Sequence, residues 1–167
     1  MTQIQALLPQ DWPVIRDVRL RSLHESPHAF TSTYAREAAF DESTWRDRAT
    51  TGTWFVAVED GEVVGVAGGV DGWSGDPSRR ELVGMWVAPR CRGRGVARLL
   101  LGAVSAWAHA EGASVLSLGV REGNQHARAV YLALGLRSSG ETVVERNDER
   151  HQPTRSIEVM ELDLGSD

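Results

Sequence analysis

The chain has 167 residues and 41% hydrophobic content, enough for one domain with a sizeable core spanning residues 1–167 and too little for two. Its net charge of −5 argues against a nucleic-acid surface, because neutralising a phosphate backbone takes a basic face. All 18 basic side chains are Arg, which excludes Schiff-base chemistry on an enzyme Lys.

No apolar run reaches the eighteen or so residues of a membrane span, and the opening MTQIQALLPQDW lacks the basic and apolar parts of a signal peptide. A cytoplasmic protein without membrane contact is expected. The single Cys91 has no internal disulfide partner and reads as a loop side chain between two Arg residues. The five His residues show no metal-ligand spacing with Cys or carboxylates, so no metal is expected.

In chain order, residues 2–8 alternate as a first strand, and Pro9, Asp11 and Pro13 open a helix through about His24 with Val14, Val18 and residues 20–23 on its core face. Residues 25–40 read as irregular, with aromatics at Phe30 and Tyr34. Asp41 caps a short helix carrying Trp45. Two β-rich runs then meet at Asp60-Gly61, a strong hairpin signal, and residues 73–79 form an exposed turn.

The most informative stretch is ELVGMWVAPRCRGRGVARLLLGAVSAWAHAEG, residues 81–112: a strand to Val87, a turn crowded with Arg and Gly, and a helix. That helix repeats Val96, Leu99, Leu100, Ala103, Val104 and Trp107 at three- and four-residue spacing. A strand emptying through such a loop into a helix leaves backbone N–H groups unpartnered at the positive end of the helix dipole, where they can hold a phosphate. Neither common nucleotide signature fits: a dinucleotide loop would need Gly where Arg98 stands, and a Walker loop needs a Lys.

A strand over residues 115–120 follows Gly112 and completes a parallel βαβ unit. The second helix places Ala127, Val130, Tyr131 and Leu134 on one face and stops at Gly135. An antiparallel pair, residues 138–145 and 155–162, closes the chain across a charged loop, 146–154, read as mobile and bordering the site.

The pattern Arg90-x-x-Gly93-x-Gly95, with the downstream block VLSLGVREGNQHARAVYLALGLR carrying Asn124, Tyr131 and Gly135, resembles the GNAT superfamily of N-acetyltransferases. The resemblance covers residues 81–137 and implies the GNAT α/β fold: a mixed, mostly antiparallel central sheet, splayed at its two parallel central strands and flanked by helices. It implies acetyl-CoA as acyl donor, its diphosphate on the loop Arg92, Gly93, Arg94, Gly95, Val96 and Ala97. The pantetheine arm would pair with the strand near Met85 and Val87 and touch Asn124, and Arg94, Arg98 or Arg128 would reach the 3′-phosphate. Gly84, isolated in the strand, either admits the ligand or accommodates packing.

Acyl transfer to an amine needs the neutral amine. An alkyl ammonium is deprotonated in only about one molecule in 2,500 at pH 7, an α-amino group in about one in seven. Glu81 matches the position where some family members carry a catalytic Glu, acting directly or through water; otherwise it is a solvated strand end. Tyr131 matches the family's donor to the departing sulfur, or else is a core Tyr. Because full proton transfer from a phenol to a thiolate is uphill by about 2 kcal/mol, its role there would be a hydrogen bond. The expected activity is acetylation of a primary amine, on a small molecule or a protein, by direct attack in a ternary complex. The alternative is a non-catalytic acyl-CoA-binding module of the same fold, and a homodimer would be in keeping with the family.

Overall fold

The computed structural model describes residues 1–145 and 155–165; the charged loop 146–154 lies outside the described residues. One seven-stranded sheet runs in the order β1-β2-β3-β4-β5-β7-β6. Its strands are β1 (Gln3–Leu7), β2 (Thr53–Glu59), β3 (Glu62–Asp71), β4 (Arg79–Val87), β5 (Val115–Arg121), β6 (Arg137–Glu145) and β7 (Arg155–Asp163). Neighbours are antiparallel except β4 and β5, which are parallel. The sheet is therefore mixed and mostly antiparallel, as the resemblance implies.

The β2–β3 hairpin turns at Asp60 and Gly61, both at positive φ (49° and 80°), the backbone that matches the twist of flanking strands. Helix α1 (Trp12–Glu25) buries Ile15, Val18 and Leu23. Helix α4 (Val96–Ala110) packs against β3 and β4 through Val96, Leu100, Leu101, Val104 and Ala108. Each large side chain so buried contributes about 1.5–3 kcal/mol. Here the periodic reading needs correction: Leu99 is 45% exposed and Leu101 is buried, because the stripe facing the sheet follows residues 96, 100, 104 and 108. Trp107 lies so close on β3 that a Cβ at Gly69 would stand 2.4 Å from its ring.

Residues 25–40 are more ordered than their sequence suggests. Thr33 caps a short helix, α2 (Tyr34–Ala38), by accepting from the Arg36 amide. Five residues are too few to display a period, and the anchor is a charge. Glu37, with a side chain 2% exposed, accepts a two-pronged bond from Arg19 of α1 (3.0 and 2.9 Å) and a third from Arg48 (2.7 Å) of α3 (Glu42–Thr51). Burial alone would raise its carboxyl, but the two guanidinium groups outweigh burial and hold it at about 2.

The feature that positions the site lies at the sheet centre. Parallel pairing between β4 and β5 ends at Glu81↔Ser117, although β4 continues to Val87 and β5 to Arg121. β5 turns instead to full pairing with β7, from Val115↔Asp163 to Arg121↔Ile157. The two strands thus splay, and helix α5 (Gln125–Ala133) and the start of α4 flank the opening. β4 also bulges: Val83 faces Gly68 and Trp86 faces Val66, leaving Gly84 and Met85 opposite Ala67. Gly84 takes φ 64°, which the bulge requires and an L side chain resists.

Candidate active site

A cleft of about 660 Å³ opens where β4 and β5 separate. One wall is β4 from Met85 to Val87, another the loop through Gly93 and Gly95 with Val96 and Ala97, and a third Asn124, Ala127 and Tyr131. Ser26, His28, Ala29 and Phe30 close the fourth side.

Its floor is rich in unpartnered amides. Gly95 precedes α4 at φ 84° and offers no capping side chain. Among the described residues, nothing accepts from the amides of Gly93, Arg94, Gly95, Val96, Ala97 and Arg98. With the dipole of α4 behind them they form an anion seat. Arg92 differs from the sequence expectation: its amide is already bonded to the Pro89 carbonyl at 3.3 Å.

The Arg side chains of the loop fasten it down. Arg90 pairs with Glu62, Arg92 with Glu25 at 2.8 Å, and Arg94 with Glu59 at 3.2 Å. Arg92 also donates to the Val87 carbonyl at 2.9 Å, and Trp86 donates to the same Glu25 at 2.9 Å. Burial would raise the Glu25 carboxyl, but Ser26, Trp86 and Arg92 together hold it below the usual range. Cys91 is buried, its thiol 3.7 Å from Glu59 and 3.8 Å from Arg94. Of the three candidates for a 3′-phosphate, Arg94 is engaged with Glu59 and Arg128 with Glu158 at 2.8 Å. Arg98 lines the cleft and has no ion pair among the described residues.

Along β4, Ala88 donates to Val64 across the β3 edge at 2.8 Å. Alternation along the strand therefore turns the amide of Val87 to the opposite edge, toward the splay. Asn124 caps α5 by accepting from the Ala127 amide at 3.2 Å and still lines the cleft. The Tyr131 hydroxyl has no hydrogen bond among the described residues, and burial pushes it well above the ordinary phenol value. It stays protonated at neutral pH, a donor without an acceptor of its own.

Glu81 stands apart, at the point where the strands separate rather than in the cleft wall. Burial pushes its carboxyl up to about 7, partly offset by the Arg79 charge and the Trp73 amide. By register Glu81, Val83 and Trp86 share one face, since the bulge reverses the alternation between Val83 and Trp86.

The profile of the acetyltransferase (GNAT) family matches residues 18–136. The chain belongs to that family. Similar GNAT-fold structures include the GNAT acetyltransferase of Streptococcus pneumoniae, 19% identical over 98% of this chain and 99% of that one, with a TM-score of 0.77. yncA from Salmonella typhimurium, solved with its cofactor acetyl-CoA, is 20% identical over 100% and 96% of the two chains, with a TM-score of 0.72. The ribosomal-protein-S18-alanine N-acetyltransferase of Escherichia coli is also 20% identical, over 100% and 96%, with a TM-score of 0.67. No curated protein matches the sequence significantly. Membership makes this GNAT protein an acetyltransferase in the general sense, with acetyl-CoA as donor. No helix among its described residues is long and apolar enough to cross a membrane.

Sequence reasoning named Met85, Val87, Arg92, Gly93, Gly95, Val96, Ala97, Asn124 and Tyr131, which the structure gathers round one cleft, while Arg94 of the same loop is not among its lining. It did not name Ser26 and Trp86, which line the same space and join Glu25 and Arg92 in one network. Their only signal was polar and aromatic character next to a helix end and inside a strand, which has no functional signature.

Proposed function

We propose that this protein acetylates a primary amine, the amine attacking the thioester directly while both substrates are bound. The observation that carries the reading is the run of unpartnered amides from Gly93 to Arg98 at the mouth of the splayed strands. Such amides fit a diphosphate, and Arg98 fits a terminal phosphate. Acetyl-CoA supplies an activated carbonyl and a thiolate leaving group.

The chain's own groups divide the remaining work. The Met85 and Val87 amides hold the pantetheine arm as a neighbouring strand would, and an amide on this edge polarises the carbonyl. Glu81, with its carboxyl near 7, takes the proton that the attacking nitrogen loses, through a chain of waters. The N–C bond forms as the C–S bond breaks, and the Tyr131 hydroxyl donates to the sulfur as negative charge gathers there. Asn124 fixes the start of α5 and thereby the placement of Tyr131.

The test is release of free thiol from acetyl-CoA over a panel of amines, with product mass as a second readout. Thiol release with an acetylated amine supports the reading. CoA binding without thiol release from any amine would leave only a non-catalytic acyl-CoA-binding module.

A further inference from the structure

We propose that the acceptor is a free amino acid, held by its α-carboxylate on Arg19; the amine chemistry rests on the function proposed above. Arg19 is anchored at one edge only. Its Nε and Nη2 atoms donate to Glu37 at 3.0 and 2.9 Å, and the guanidinium stacks over the Phe30 ring at 4.6 Å. Its Nη1 atom has no acceptor among the described residues, although the side chain is only 12% exposed.

That free edge faces the bulge of β4. A Cβ placed on Gly84 would stand 3.8 Å from Nη1 and 3.3 Å from the Trp54 ring. Phe30, under the guanidinium, also lines the cleft for the acyl donor. The open edge of the guanidinium is therefore one aromatic ring from the cleft.

Charge counting points the same way. Glu37, itself buried, is shared by Arg19 and Arg48, two cations to one carboxylate. One further anion balances the cluster, and a planar carboxylate suits the exposed edge of a guanidinium. Upstream on β4, Glu81 lies on the face of Val83 and Gly68, the same face as Trp54. Arg19 of α1 thus presents a cation beside Gly84, and Glu81 stands further up the same face of β4.

Distance selects the α-amino acid. An amine within about 3 Å of a carboxylate on Arg19 stays beside the Gly84–Met85 bulge, next to the edge amides of β4. Glu81 is about 10 Å up the strand at about 3.3 Å per residue, so the departing proton reaches it through a chain of waters. A peptide N-terminus lacks this carboxylate, so protein amines are disfavoured.

The experiment compares matched sets built on L-alanine, L-leucine, L-methionine and L-phenylalanine: the amino acid, its amide and its decarboxylated amine. Thiol release is expressed per free-base amine. Wild type is expected to favour the carboxylate form by about 100-fold or more in kcat/KM for at least one set, because a site built for a polar group rejects analogues lacking it. Arg19→Met should reduce that ratio below about 5-fold, and Arg19→Lys should restore part of it. A second readout needs no turnover: calorimetry of the CoA-saturated protein with N-acetyl-L-amino acids and their amides, where the carboxylates should bind about 10-fold tighter or better in wild type and not in Arg19→Met. Equal rates across a set, a preference for the amide, a preference unaltered in Arg19→Met, or no carboxylate preference in calorimetry overturns the assignment. No thiol release with preserved carboxylate binding would instead sink the acetyl-transfer reading and leave the Arg19 subsite standing.

Discussion

Replacing Glu81 by Gln keeps the shape of the strand-face side chain and removes its basicity. With a carboxyl at about 7, raised by burial from an ordinary 4.5, the wild-type group is ionised in about nine molecules in ten at pH 8 and about three in a hundred at pH 5.5. A general base contributes at least about 100-fold, so Glu81→Gln should cost about 90-fold in kcat/KM at pH 8 and only about 4-fold at pH 5.5. The wild-type profile should change slope near pH 7, separately from the amine's own titration, and the variant should lose that break alone. Stability moves in the opposite sense. A raised folded-state value means that the wild type loses stability as pH climbs from 4.5 through about 7, by at most about 3 kcal/mol, and Gln is spared this loss. Thiol-release rates and urea midpoints across pH 5.5 to 8.5 measure both effects. A variant within about 3-fold of wild type at pH 8, or an unmoved break near pH 7, would remove Glu81 from the proton path.

Gly93→Glu, at φ 72° with open space around its Cβ, should fold at a cost of about 1 kcal/mol and lose CoA binding through charge clash, as read by calorimetry. Tyr131→Phe should lower kcat by about 10-fold or more with CoA affinity within about 2-fold; equal rates would take Tyr131 out of the chemistry. Arg98→Ala should weaken CoA by about 10-fold but leave 3′-dephospho-CoA unchanged, whereas an equal loss for both would place the 3′-phosphate elsewhere. Glu37→Gln should destabilise by about 3 kcal/mol because two partly buried guanidinium groups lose their buried carboxylate. Since the Glu37 carboxyl is lowered to about 2, its stabilisation is complete above 4.5 and disappears as pH falls through about 2, a dependence that urea melts should find in wild type and not in the variant.

The strand, loop and helix from Glu81 to Gly112 were legible because periodicity and glycine placement act locally. The Asp60-Gly61 hairpin was readable for the same reason: it is decided by residues adjacent in the chain. What remained hidden depends on partners far away. The loop Arg residues look like phosphate ligands in sequence, yet Arg90, Arg92 and Arg94 find Glu62, Glu25 and Glu59 on other elements, leaving the amides to face the cleft. Helix α2 escaped notice because a buried ion cluster, not an apolar stripe, anchors it. Glu81 could be located but not titrated from sequence, since its raised carboxyl comes from burial by the fold.

The proposed function turns on the amides of Gly93, Arg94, Gly95, Val96 and Ala97 holding a diphosphate. Backbone amide spectra of the 15N-labelled protein, titrated with CoA and separately with pantetheine, address them one by one. Downfield shifts of these amides with CoA and not with pantetheine are expected. Saturable CoA binding that leaves all five unmoved would contradict the account.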